Sequence, residues 1–275
     1  MPYKKRPVPN FVTFFAGIAI GSWSLMPSLS ALYNGNPSFP MMPEEALFFP
    51  KDSGITLKAG YEWDDVFNQR LTLKKNQDYL NRKVRQYHTT SQFGTVTLGF
   101  NDRVEFYGAM GAMTARSQFH PYSSGTIKYH TDSSFAWDIG GRAILAYWGD
   151  TQLGVDAKHI QFNPTIKSMT LQHHSLHPHK VSYQYRQWQI GLGASHRFGL
   201  VVPYLGVNYS HVHLKFHNLK TLGGVFPDSH VTMKNRFPFG LFMGCGFSLV
   251  RALDLNAELR LIDETAVTIS GDIRF

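Results

Sequence analysis

The charged residues of this chain that could do chemistry stand an even number of positions apart within alternating segments. Lys58 and Glu62, Asp138 and Arg142, Asp156 and Lys158, and Glu258 and Arg260 are such pairs, and Asp254, Asp272 and Arg274 share their polar phase. Even spacing puts both members of a pair on one face of an extended strand. A wall carrying both signs is suited to ion passage, because rings of fixed charge bias which ions enter. Opposite charges can also pair across a narrow lumen and fill it. No catalytic constellation is expected among them.

The elements that hold these residues are strands. From Leu253 to Leu261 every odd position is apolar, and Asp254, Asn256, Glu258 and Arg260 stand between. Val267, Ile269, Ile273 and Phe275 resume the alternation against Thr268, Ser270, Asp272 and Arg274. A final hairpin with one oily face, ending the polypeptide on Phe275, fits the last strands of an outer-membrane barrel, and Phe275 reads as a C-terminal assembly signal. The same alternation marks Ile55, Leu57, Ala59, Tyr61 and Trp63, and later Phe135, Trp137 and Ile139. One strand is harder to read. Val181, Tyr183 and Tyr185 lie on one phase and Trp188, Ile190, Leu192 and Ala194 on the other. A bulge near Arg186 would explain the switch, as would a misplaced strand start.

Connections alternate in length. Asn101-Asp102-Arg103, Gly149-Asp150 and residues 197–200 are tight turns, whereas 67–90, 117–131, 163–179 and 217–235 read as long polar loops. Short periplasmic turns and long external loops are the pattern of membrane barrels. The fold class is therefore all-β: a transmembrane antiparallel β-barrel of about ten strands over residues 54–275. About eight strands are filled by side chains and 16–18 leave a channel, so ten lies nearer the filled end.

Residues 1–31 read as a signal peptide, with basic Lys4, Lys5 and Arg6, an apolar run from Phe11 to about Trp23, and small residues before a cleavage near Ala31. Residues 32–53, rich in Pro and Gly, read as an extended lead-in. The net charge of +8 falls to +5 once the three basic signal residues are removed. That excess is too diffuse for a nucleic-acid surface. Trp63, Trp137, Tyr147, Trp148, Trp188, Tyr204 and Tyr209 lie towards strand ends and are assigned to interfacial aromatic girdles. His173, His174, His177 and His179 share one loop, and His211, His213 and His217 lie near another. Without carboxylate or cysteine partners these read as solvated polar residues, so no metal site and no cofactor is assigned. The lone Cys245, in an apolar run, reads as a small hydrophobe. Expected partners are outer-membrane lipid and lipopolysaccharide, the barrel-assembly machinery, and small solutes or ions. Homo-oligomerisation is left open.

Three passages resemble the chlamydial major outer membrane protein family: Gly35-Asn36-Pro37, then Ala59 to Phe67 (AGYEWDDVF), then Glu258 to Glu264 (ELRLIDE) with the closing Arg274-Phe275. The resemblance implies an outer-membrane barrel with porin activity. Members of that family are longer, are thought to form wider barrels and are cysteine-rich, so their disulfide-linked envelope role does not carry over to a chain with one cysteine. The expected function is passive diffusion of ions or small solutes, with lumen charge setting selectivity. The alternatives are a plugged barrel serving as an adhesin or envelope structural protein, and an omptin-like protease built on Asp64-Asp65 with Asp228 and His230.

Overall fold

A computed structural model describes residues 33–42, 47, 54–73, 84–119, 125–172, 174–176, 181–219, 230–250 and 252–275. Its fifteen strands are β1 (Ile55–Gln69), β2 (Leu71–Leu73), β3 (Gln86–Phe100), β4 (Val104–Phe119), β5 (Ile127–Thr131), β6 (Ser134–Trp148), β7 (Thr151–Phe162), β8 (Ile166–Leu171), β9 (His174–Leu176), β10 (Ser182–His196), β11 (Val201–His217), β12 (Thr232–Asn235), β13 (Phe239–Val250), β14 (Leu253–Leu261) and β15 (Glu264–Arg274). Ten of them form an antiparallel barrel in the order β3-β1-β15-β14-β13-β11-β10-β7-β6-β4, closed by pairing of β3 with β4. Closure removes unpaired sheet edges, the condition for carrying a sheet across lipid. The other five strands extend the wall beyond the long-loop end: β2 pairs with β12, β5 with β4 and β8, and β8 with β9.

A belt of outward apolar side chains encircles the barrel. Phe106, Met110, Phe135, Ile139, Ile190, Leu205, Val207, Phe239 and Ile269 all stand exposed on it. Such an array in water would be a large hydrophobic liability; in a bilayer it is the lipid-facing surface. Trp137, Trp188 and Tyr209 bound the belt at one edge, where the Trp188 and Tyr209 rings meet at 5.4 Å and Tyr209 and Phe239 at 5.2 Å. Tyr147 and Trp148 bound the other, and Arg103 donates a hydrogen bond to the Tyr147 hydroxyl at 2.7 Å. From Trp137 to Tyr147 the strand rises about 33 Å at ~3.3 Å per residue. A tilt of about 40° reduces that to roughly 25 Å, the height of an outer-membrane apolar band. Trp63 is half-buried on the outward phase. Tyr204, expected among the girdle residues, instead points into the lumen and is buried, because it lies on the opposite phase from Leu205 and Val207.

The switch of phase in β10 has no bulge behind it. Its pairing with β7 and β11 is continuous, and Tyr183, Tyr185, Gln187 and Gln189 all face inward. What changes is the solvent around the barrel. Below Trp188 lipid surrounds the wall, so apolar groups face out. Above it the barrel emerges into water, so apolar groups face in and Arg186 faces out. β11 repeats this: Leu205, Val207 and Tyr209 face outward, then Val212, Leu214 and Phe216 face inward with His211 and His213 outside. The parts of the expected loops that hold β2, β5, β8, β9 and β12 belong to this emergent wall, whose inner face encloses the larger apolar cluster among the described residues.

Candidate functional site: a charged lumen with an internal plug

At membrane level the inward phase is polar. Lys58, Glu62, Asp138, Asp156, Lys158, Glu258 and Arg260 are buried inside the barrel, and Arg142 is nearly so. Two ionic clusters organise them. In the lower one, Lys58 pairs with Glu105 at 2.7 Å, Arg142 lies 3.4 Å from Glu105 and 3.9 Å from Asp156, and the Tyr107 hydroxyl donates to Asp156 at 2.7 Å. The upper one centres on Arg260. Its Nε donates to Glu264 at 2.7 Å, its Nη2 to Asp64 at 2.7 Å, and its Nη1 to Glu258 at 3.3 Å and Thr268 at 2.8 Å. The guanidinium can hold three carboxylates because its donors are fixed in one plane in a fork that matches them. Glu105, Asp64 and Glu264 were missed as lumen residues by sequence reading. Glu105 lies on a strand whose Gly and Ala residues blur the phase. Asp64 and Glu264 sit next to a second acid, Asp65 or Asp263, that hides the alternation.

Acids outnumber bases along this wall. Glu62, Asp64, Glu105, Asp138, Asp156, Asp254, Glu258, Asp263, Glu264 and Asp272 face Lys58, Arg142, Lys158, Arg260 and Arg274. The inner surface therefore has the opposite bias from the chain as a whole, whose formal net charge is +8.

The lower lumen holds a piece of the chain itself. The expected extended lead-in enters the barrel: Tyr33 to Met42 lies inside it, ending in a 3-10 turn at Phe39–Met41, and nearly all of its residues are buried. The backbone N–H groups of Asn34 and Gly35 donate to the two carboxylate oxygens of Glu258 at 2.9 and 3.1 Å. Gln189 donates to the Asn34 side chain at 2.6 Å, Asn36 donates to the Val202 carbonyl at 3.1 Å, and the Ser38 and Ser195 hydroxyls meet at 2.6 Å. The Lys58 ammonium donates to the carbonyls of Phe39 and Met42. Arg142 lies over the Phe39 ring, 4.6 Å from its centroid.

The wall is shaped for this segment. A Cβ on Gly191 would stand 2.6 Å from the Asn34 amide oxygen, so only glycine leaves room there. Gly35 itself has φ +84, a conformation that side-chain-bearing residues rarely adopt. Two voids remain beside the segment, about 20 and 10 Å³, each about the size of one water or less.

Above the ionic clusters the lumen becomes apolar. Gln69, Gln187 and Tyr185 form a hydrogen-bonded transition. Beyond it the Tyr87 and Tyr185 rings stack at 6.0 Å from strands on different sides of the barrel, and Tyr183 and Tyr129 meet Phe216 at 5.1 and 5.5 Å. The described lumen is thus closed by the plug below and by an aromatic layer above. Of the residues considered for proteolysis, Asp64 is engaged by Arg260 and Thr268. The ring of His230 meets that of His217 at 5.2 Å. Asp228 lies outside the described residues, as do His173, His177 and His179.

No family model matches the sequence. The chain is similar to a major outer membrane porin of Chlamydia pneumoniae, at 25% identity over 371 aligned positions that cover 90% of this chain and 95% of that one. It is also similar to the major outer membrane porin of Chlamydia trachomatis serovar L3, 24% identical over 206 positions covering 64% of this chain and 48% of the other. An alignment of 371 positions against a chain of 275 residues means that the C. pneumoniae porin carries long segments this chain lacks. Among solved structures, the outer membrane protease OmpT of Escherichia coli matches 82% of this chain and 95% of its own at 10% identity and a TM-score of 0.40. The resemblance read at three short passages extends over most of the chain, and the barrel is an outer-membrane barrel.

Proposed function

We propose that this relative of the chlamydial major outer membrane porins is a porin-like barrel that passes ions and small solutes, and that Tyr33–Met42 is its displaceable constriction. The observation that carries the reading is how the plug is held. Above the point where Leu47 donates to the Arg274 carbonyl, its contacts with the wall run to the side chains of Glu258, Gln189, Ser195, Lys58 and Arg142 and, through the Asn36 amide, to the Val202 carbonyl. A segment woven into the sheet would need the barrel to open before it could leave. One held by side-chain contacts can be exchanged for water, since each hydrogen bond lost to the wall is regained with solvent at a net cost of about 0.5–1.5 kcal/mol, or about 1.5–3 kcal/mol where Glu258 or Lys58 supplies a charge. The path then crosses the aromatic layer, a hydrophobic constriction of the kind that gates by dewetting.

The surplus of carboxylates favours cations over anions. Arg142, which lies between Glu105 and Asp156 and over the Phe39 ring of the plug, is the residue whose charge should most affect that preference. The barrel is passive in this reading: Asp64 serves the Arg260 cluster and not a hydrolytic water. Trp137, Trp188, Tyr209, Tyr147 and Trp63 anchor the wall at the two interfaces, and Phe275 serves as the signal read by the assembly machinery. Planar-bilayer recordings of the refolded protein test the proposal. Stepwise currents with a cation-biased reversal potential, made more cation-selective by Arg142→Glu, are expected. A folded barrel that stays silent, both as wild type and with residues 33–42 deleted, would overturn it in favour of a plugged barrel whose loops do the work.

A further inference from the structure

The emergent wall carries a second candidate site, outside the lumen. Two adjacent cross-strand rows run over β3, β4, β5 and β8. In one, His88 pairs with Arg116, Arg116 with His130, and His130 with Ser168. In the next, Gln86 pairs with Gln118, Gln118 with Lys128, and Lys128 with Thr170. Because the side-chain period of a strand is two, both rows lie on the same face. The intervening Tyr87, Ser117, Tyr129 and Met169 face the interior and are buried, so the rows face outward. Together they line a cavity of about 450 Å³, within the range of small-ligand sites.

The composition of the two rows is selective. They hold two permanent cations, two imidazoles, two amides and two hydroxyls, and no carboxylate. Arg116 is oriented within the cavity: its Nε donates to His130 Nδ1 at 3.2 Å, which leaves its terminal amino groups directed elsewhere. That bond also assigns the proton of a neutral His130 to Nε2, as a further donor. His88 Nε2 is shielded from solvent and has no hydrogen-bond partner. The nearby acid, Asp132, is paired with Lys167 at 3.4 Å.

We propose that this cavity binds a sugar carrying a phosphate monoester, with Arg116 and Lys128 on the phosphate and the amides and hydroxyls of Gln86, Gln118, Ser168 and Thr170 on the sugar. A planar guanidinium matches phosphate oxygens bidentately and a lysine adds a point charge. The remaining groups, neutral donors and acceptors at the cavity wall, are what sugar hydroxyls need. The cavity stands on the water-exposed side of the Trp137–Trp188–Tyr209 girdle, with Arg116 six residues beyond Met110, the β4 partner of Trp137. The sugar phosphate can therefore belong to the glycolipid of the same leaflet or arrive free in solution. This site is separate from the lumen, so it stands or falls independently of porin activity.

The test uses the full refolded chain in phosphatidylcholine vesicles, titrated calorimetrically with glucose 6-phosphate and with glucose. Glucose 6-phosphate should bind at least tenfold more tightly than glucose. Arg116→Gln and Lys128→Gln should each weaken it about tenfold or more, the loss of one charge-assisted contact. Heat-modifiable migration of each variant checks that it is folded, and Arg186→Gln, on the outer face of β10 and not among the residues lining the cavity, should leave binding unchanged. Loss of the titration signal when the protein is reconstituted with lipopolysaccharide identifies the leaflet's own glycolipid as the occupant; a retained signal identifies a soluble sugar phosphate. Equal affinity for glucose and glucose 6-phosphate, or folded Arg116 and Lys128 variants that bind like wild type, would overturn the proposal.

Discussion

Replacing Arg260 with methionine tests the ionic core of the lumen. The side chain is fully buried and donates four hydrogen bonds, three of them to carboxylates, at 2.7, 2.7 and 3.3 Å. Charge-assisted bonds contribute about 1.5–3 kcal/mol each, so simple addition over the four would give roughly 6–12 kcal/mol. Side chains relax and water enters once the guanidinium is gone. The measured cost of breaking a buried ion pair, about 3–5 kcal/mol, is therefore the expected loss. The damage comes from what remains: Asp64, Glu258 and Glu264 face one another without a cation. Two consequences follow. Adding Glu264→Gln to Arg260→Met should restore part of the stability, with a coupling of about 0.5–3 kcal/mol in the double-mutant cycle. Lowering the pH should shrink the gap between Arg260→Met and wild type, because protons can then neutralise the stranded carboxylates. The assay is urea unfolding in phosphatidylcholine bilayers, followed by tryptophan fluorescence. An Arg260→Met barrel within about 0.5 kcal/mol of wild type at neutral pH would refute the placement of Arg260 as the hub of the lumen.

Other consequences can be checked separately. Leu192→Arg should cost about 2–4 kcal/mol and impair insertion, since it puts a charge on the lipid face midway along β10 between Trp188 and His196. Arg186, on the same face of β10 as Ile190 but above the girdle, should tolerate Arg186→Gln within about 0.5 kcal/mol in the same unfolding assay. Phe216→Ala should cost about 3–5 kcal/mol by opening a cavity in the aromatic layer, and should raise conductance if that layer is a gate. His88, in the emergent wall, titrates at about 4, lowered by burial and then by Arg116. Its contribution to stability is therefore present above the usual histidine range, near pH 6.5, and is lost as pH falls from there towards 4. His88→Gln should remove that part of the acid sensitivity in a pH series of unfolding curves.

The membrane-level barrel was legible in most strands because lipid outside and a polar lumen inside impose one phase on them; β4, where Gly and Ala sit on both faces, was the exception. Leu253 to Leu261 and Ile55 to Trp63 show it plainly. The emergent wall was not, because the environment inverts there while the strand continues. Tyr183, Tyr185, Leu214 and Phe216 read as out of phase only if membrane is assumed along the whole strand. The shortness of β2, β5, β8, β9 and β12 further disguised them as loops. The plug was also hidden. Gly35, Asn36, Pro37 and Pro40 have the composition of a linker, and the contacts that fold them lie more than a hundred residues away at Gln189, Val202 and Glu258. The one clue was that Gly35-Asn36-Pro37 resembles a family motif, which a mere linker would not need. The rows that line the outer cavity become neighbours only through strand register, which no local pattern reveals.

Fixing the plug in place would test the gating reading most directly. In a Cys245→Ala background, Ser38→Cys and Ser195→Cys put thiols where the hydroxyl oxygens now stand 2.6 Å apart. Single-channel conductance is then recorded on the same reconstituted protein before and after reduction. A bond that forms under mild oxidation, silence while it is intact, and stepwise cation-selective currents once it is reduced are expected. Currents of equal size in the oxidised and reduced states, with the bond verified by mass spectrometry, would contradict the assignment of Tyr33–Met42 as the constriction.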